Sequence, residues 1–184
     1  MKTDDVVNNA INHFKSVDPI LYEVTCKFPP LEKTYSENYF IALVESVVSQ
    51  QLSVKAADTI FGRMKALTNN SELSAEAILH MDSQKMRDAG LSWSKVSYVK
   101  NIAAYTVTSD KVFERFPEMT DEEIIAELIK IKGVGKWTVE MFLIFTMNRP
   151  DIFSFGDLGL KRAIQKLYGF GEIEPTKEEM EVIS

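Results

Sequence analysis

Apolar residues in this chain recur almost everywhere at intervals of three and four, and that spacing leaves few folds open. Tyr39, Phe40, Leu43, Val44, Val47 and Val48 fall on one face of a helix. Val54, Ala57, Ile60, Phe61, Met64 and Leu67 repeat the pattern behind Ser53, a residue suited to an N-cap. Val96, Val99, Ile102, Ala103 and Thr106 mark a third amphipathic stretch. "TDEE" at Thr120 to Glu123 reads as a capping box, with acids where the helix dipole favours them, and Ile124, Ile125, Leu128 and Ile129 form the stripe behind it. Alternating patterns bounded by turns are scarce; "DIFSF" (Asp151 to Phe155) is the best strand candidate, and it is short. The expectation is an all-α chain.

Composition narrows the function classes. The 184 residues are 45% hydrophobic and 26% charged, ordinary for a globular protein with a real core. No apolar run reaches membrane-spanning length, and "MKTDDVVNNAINHF" is too polar and acidic for a signal peptide, so the cytoplasm is the expected location. The lone Cys26 excludes an internal disulfide framework or a four-cysteine metal cluster. His13 and His80 have no partners at metal-like spacing. A net charge of −6 argues against a blanket nucleic-acid binder but leaves room for a local basic spot.

Two irregular crossings, Lys27 to Tyr35 and Asn148 to Gly156, suggest a central helical domain over 32–149 and a second helical lobe built from 1–31 plus 150–184. "PTKEEMEVIS" starts like a helix, with Thr176 as cap and Glu179 completing a box, and stops after about two turns without a stop signal. Either that tail frays or the natural chain continues. The late acids Glu172, Glu174, Glu178, Glu179 and Glu181 read as a solvated face.

The most informative stretch is "IKGVGKWTVE" (Ile131 to Glu140). It separates two expected helices, Asp121 to Lys130 and Lys136 to Met147. The second is apolar almost all round and should be buried. A tight Gly-Val-Gly hairpin leaves the first-turn amides of that helix without intrahelical acceptors, a ready anion site at a positive helix end. Glycine lets a phosphate approach because no Cβ blocks it. Lys130, Lys132 and Lys136 gather there with no acid from Ile129 to Lys136. The competing reading is an αα-hairpin that uses glycine merely to turn. A Walker phosphate loop is excluded, since neither its spacing nor a preceding strand is present.

"LIKIKGVGKWTVEMFLIF" resembles the helix-hairpin-helix of the DNA glycosylase superfamily, and its tryptophan is most similar to the 3-methyladenine DNA glycosylase II branch. "VVSQQLSVKAA" (Val47 to Ala57) resembles an early signature of that branch, and "DIFSFGDLGLKRAI" (Asp151 to Ile164) resembles the segment bearing its catalytic aspartate. The similarity runs from about Asp18 to Tyr168. It implies a two-lobed, all-α fold with the active site in an inter-lobe cleft. The implied function is a monofunctional glycosylase for damaged, alkylated purines that binds duplex DNA, flips out the damaged base and hydrolyses its glycosidic bond. No organic cofactor or catalytic metal is implied, and a monomer is expected.

The resemblance assigns residues one by one. Asp157 matches the catalytic aspartate. Trp137 stands where bifunctional relatives carry an attacking lysine, and with Met141 and Leu158 it would line the base pocket. Gln51 matches the residue that wedges into the duplex; Gln50 and Ser53 flank it as DNA contacts. Lys132, Gly133, Val134, Gly135, Lys136 and Thr138 would meet the DNA backbone. The carbonyls of Ile129, Ile131 and Val134 match positions that hold a monovalent cation in relatives. The branch's final aromatic-rich helix has no counterpart here, so part of the base pocket is unaccounted for.

Each assignment has a structural rival. Asp157 is also a good N-cap for the helix that follows, and the two roles are compatible. Asp151 is the rival carboxylate, but it follows Pro150 and has no evident helix to cap. Trp137 could fill a core, and Gln51 could be an exposed polar residue at a helix end. Trp93 and Lys95 could belong to the core or face DNA, and the residues alone do not choose. The alternatives to the enzyme reading are a non-catalytic hairpin module that binds DNA and a lyase that uses an unrecognised lysine.

Overall fold

The computed structural model describes residues 3–28, 36, 38–68 and 72–183, which carry twelve α-helices and no strand. These are α1 (Thr3–Val17), α2 (Pro19–Thr25), α3 (Tyr39–Ser49), α4 (Val54–Lys65), α5 (Ala75–His80), α6 (Ser83–Asp88), α7 (Trp93–Thr108), α8 (Val112–Arg115), α9 (Asp121–Leu128), α10 (Lys136–Phe145), α11 (Leu158–Leu167) and α12 (Lys177–Ile183). None is long and apolar enough to cross a membrane. The strand expected at Asp151 to Phe155 does not form. That segment is an irregular connection, because a short apolar run gains a ladder only where a partner strand exists.

The helices start where short polar side chains can take an unpaired amide. Asn38, Ser53, Ser74, Asp82, Ser92 and Thr120 cap α3, α4, α5, α6, α7 and α9 in turn. Thr120 and Glu123 form the full reciprocal box, with bonds of 2.8 and 3.2 Å. Thr176 and Glu179 repeat it before α12 with the same two distances.

The chain divides into two compact units, Thr34–Ile152 and a second one assembled from Met1–Lys33 with Phe153–Ser184. The domain boundary expected at 31/32, and most of the Lys27 to Tyr35 crossing, lie outside the described residues. The other boundary falls at 152/153, where the sequence placed it at 149/150.

In the larger unit α7 is the central strut and packs against α3 and α5; α10 packs against α9 and α3. Phe116 is fully buried among Tyr39, Phe113 and Phe142, at ring distances of 6.2, 5.0 and 6.1 Å. Arg149 closes this unit: its guanidinium donates to the carbonyls of Phe116 and Met119 and pairs with Asp121 at 3.3 Å.

Not every apolar residue of the sequence stripes is inside. Val54 and Ile129 are exposed, because each sits at a helix end beyond the reach of the packed face.

The smaller unit joins the two ends of the chain. Asp18 caps α2 through the Leu21 amide and accepts the Tyr168 hydroxyl. Those two bonds, the amide first, hold its carboxyl below the usual range. Burial, reinforced by the same carboxylate, raises the phenol. Met180 of α12 is fully buried. The five late acids are all exposed, although Glu174 and Glu181 also meet Lys161 and Lys177.

Candidate nucleic-acid interface and base pocket

The hairpin between α9 and α10 is a four-residue turn closed by the Val134 amide on the Ile131 carbonyl at 3.0 Å. Ile131 and Val134 are buried and anchor it. Gly133 has φ +103°, as a type II turn requires at its third position. A Cβ on Gly133 would stand 2.1 Å from Tyr98 Cδ1, so the ring of α7 takes the room a side chain would need. From the next turn of α7, Asn101 donates to the Lys132 carbonyl at 2.8 Å.

Gly135 differs. It opens α10 with no side-chain cap, and a Cβ there would meet nothing within 4 Å. The two glycines expected to admit a phosphate therefore divide the work. Gly133 lets the hairpin sit on α7, and Gly135 leaves open space over the first-turn amides of α10.

The basic spot is smaller than the local sequence suggested. Lys130 meets Glu127 at 2.5 Å, and Lys136 meets Glu140 at 3.4 Å. These partners lie just outside the acid-free run, at helical spacings of three and four that were readable in the sequence. Glu127 also accepts the Tyr105 hydroxyl. The bond from Lys130 and then that from Tyr105 keep its carboxyl below the usual range. Lys132 is exposed and has no ion pair among the described residues.

α10 is not buried all round, and it is shorter than expected, ending at Phe145. Val139, Phe142 and Leu143 face the core, while Trp137 and Phe145 are 41% and 54% exposed. A helix between two neighbours in a small domain has a third side, and here that side is apolar. It lines a groove of about 570 Å³ against α3 and the turn after it. Trp137, Met141 and Phe145 stand four residues apart on the α10 wall; Ala42, Glu45, Ser46 and Ser49 form the α3 wall, with Gln50, Gln51 and Leu52 at one end. Glu45 gives this groove a carboxylate that the sequence did not single out. Its signal was weak: an acid set among the apolar positions of an otherwise uncharged helix.

The turn at the end of the groove is unusual. The Leu52 amide closes it on the Ser49 carbonyl at 3.1 Å, Gln50 has φ −49° and ψ 131°, and Gln51 has φ +57°. This too has the form of a type II turn, with glutamine where glycine or asparagine is usual. Gln51 and Ser53 are exposed. Gln50 is not: its amide donates to the Thr138 hydroxyl at 2.9 Å, and Thr138 is only 4% exposed. These two side chains tie the turn to the first turn of α10. Thr138, expected to meet the DNA backbone, is thus buried with its hydroxyl engaged by Gln50.

Lys95 and Trp93, undecided in the sequence, take different positions. Trp93 is exposed beneath Arg87, 5.3 Å from its ring. The Lys95 ammonium turns inward and donates to the carbonyls of Val48 and Gln50 at 2.8 and 2.6 Å.

In the smaller unit Asp157 caps α11. Its Oδ1 accepts the Leu160 amide at 2.7 Å, so the carboxylate is fixed at a positive helix end. Gly159 lies against it, and a Cβ there would be 3.1 Å from the same oxygen. Leu158 is 48% exposed. Asp151 is exposed and caps no helix. Among the described residues no cluster of histidine, cysteine and carboxylates could hold a metal.

A glycine-opened helix on a two-helix hairpin, beside an aromatic groove, defines a helix-hairpin-helix unit of the kind that reads nucleic acid. The chain belongs to the HhH-GPD superfamily of base excision DNA repair proteins, whose family model matches residues 44–184. It is 36% identical over 159 residues to DNA-3-methyladenine glycosylase 1 of Schizosaccharomyces pombe, covering 85% of this chain and 69% of that one. It is 30% identical to the DNA-3-methyladenine glycosylase of Saccharomyces cerevisiae, over 89% of this chain and 60% of the relative. A solved structure of the S. pombe 3-methyladenine DNA glycosylase in complex with abasic DNA superposes with a TM-score of 0.79 at 33% identity, covering 95% of this chain and 86% of that one.

Proposed function

We propose that this protein is a monofunctional DNA glycosylase that removes alkylated purines from duplex DNA. The observation that carries the reading is Trp137, half exposed on the wall of the α3–α10 groove, where a core tryptophan would be buried. A flipped base can stack on an indole face, and the attraction is stronger for a cation. Glu45 in the same groove adds a charge that favours a cationic purine. Trp137 stands at the position of the lyase lysine in bifunctional relatives, which favours hydrolysis. A DNA-binding module without chemistry would need neither the groove nor a fixed carboxylate at Asp157.

The step requires little of the protein. The C1′–N bond breaks as its electron pair leaves with the alkylated base, which departs neutral. Positive charge then grows on the sugar, and a preorganised anion such as Asp157 stabilises it. Water adds to C1′ and loses its proton to the carboxylate or to solvent. The first-turn amides of α10, with Lys132 and the open space at Gly135, would hold a backbone phosphate, and Gln51 would fill the gap left by the base.

The carbonyls of Ile129, Ile131 and Val134 would hold a monovalent cation: Ile129 is the C-cap of α9, at its negative end, and the Ile131 carbonyl, which accepts the Val134 amide, would share its second lone pair. The same proposal takes the protein as a cytoplasmic, nucleoid-associated monomer. Incubation with duplexes carrying 3-methyladenine, 7-methylguanine or hypoxanthine tests the reading. Free base and an intact abasic strand are expected. No base release from any of the three would overturn it.

A further inference from the structure

Gln51 occupies the left-handed backbone region, at φ +57°, which strains a non-glycine residue. Reversing the plane of the Gln50–Gln51 peptide would convert the turn to type I, return Gln51 to negative φ and remove that strain. Something must hold the peptide in its present orientation. Its carbonyl oxygen is the Gln50 oxygen, and it accepts the Lys95 ammonium at 2.6 Å. A second bond, to the Val48 carbonyl at 2.8 Å, sets the ammonium at the negative end of α3. Lys95 is half-buried with both of these bonds inside the fold, and burial lowers its pKa from the ordinary value.

We infer that Lys95 is a positioning residue for the duplex-facing turn: its ammonium locks the Gln50–Gln51 peptide in the type II orientation and so aims Gln51. Flipping the peptide would turn the Gln50 oxygen away and leave a half-buried ammonium short of an acceptor. The strain at Gln51 and the lock at Lys95 thus balance each other. The role in base extrusion rests on the proposed function; the conformational claim does not.

The test uses Lys95→Met, which keeps the length of the side chain and removes its donors. In the full-length variant, backbone couplings and Cα shifts of Gln51 should report a change from positive to negative φ. Single-turnover base release from a paired lesion should slow roughly tenfold, the order of the strain involved. Release from a lesion placed opposite no base should change little, and Lys95→Met should add nothing in a Gln51→Ala background. Positive φ retained at Gln51 in the variant would overturn the inference, as would an equal loss on both substrates or a full additional loss beside Gln51→Ala. If Lys95→Met does not fold, Lys95→Gln, too short to reach both carbonyls, should show the same change of sign, and retained positive φ again overturns it. If the wild type releases no base, only the proposed function fails, because the φ measurement still decides the lock.

Discussion

Tyr98 fills the space that a side chain on Gly133 would occupy, 2.1 Å from where the Cβ would lie. Gly133→Ala therefore meets both a forbidden φ and a packed ring, and is expected to destabilise by about 2–4 kcal/mol in urea unfolding. Gly135→Ala has open space and an ordinary φ. It should change stability by less than about 1 kcal/mol while weakening duplex binding. Equal stability losses would show that both glycines serve the fold alone.

Asp157→Asn should keep the cap on α11, since asparagine accepts the Leu160 amide as well. Thermal stability should hardly move. Single-turnover base release should fall on the order of a hundredfold or more, because the charge is lost and the geometry is kept. A near-normal rate would end the assignment.

Gly159→Ala separates position from charge. Alanine favours a helix by up to about 1 kcal/mol, but its Cβ would press on Asp157 Oδ1 from 3.1 Å. The expected result is unchanged or higher stability with base release slowed roughly threefold to tenfold. An unaltered rate would mean that the exact seat of the carboxylate does not matter.

Trp137→Ala and Glu45→Gln should each reduce release of 3-methyladenine and 7-methylguanine more than of neutral hypoxanthine. A cation–π contribution of about 0.5–2 kcal/mol corresponds to a discrimination of roughly 2- to 30-fold for Trp137. Competition between lesions in one duplex pool measures it, and equal losses for neutral and cationic bases would remove the case for a cation-selective groove. Borohydride should trap no protein–DNA adduct with the wild type.

Lys132→Ala should weaken binding to every duplex alike and flatten the log–log salt slope by about one unit. Lys132 carries this prediction because Lys130 and Lys136 already face Glu127 and Glu140. Unchanged affinity and slope would place the phosphate contact elsewhere.

The local signals in the sequence were reliable where a few neighbouring residues settle the outcome. Thr120 with Glu123, Thr176 with Glu179 and Asp157 before α11 all cap as their spacing indicates, since each bond closes within three residues. Periodicity failed for α10: an apolar stripe on every side does not tell a buried face from one that lines a groove, and Trp137 proved half exposed. It also carried no sign that Gln50 and Thr138 bond each other across 88 residues.

By itself the sequence determined an all-helical chain, the glycine turn before α10 and a carboxylate held at the start of α11. Capping, turn chemistry and helical period act over a handful of residues, and their energetics are written in adjacent positions. Only the tertiary structure decided which glycine is needed for packing, which hairpin lysine has no ion pair among the described residues and which face of α10 is open. It also brought Lys95, Tyr98, Asn101 and Tyr105, one side of α7, to brace the Gln50–Gln51 turn, the hairpin and α9. Those contacts join residues 22 to 45 positions apart, and they exist only once the core formed by Val96, Val99 and Ile102 has fixed how α7 is rotated.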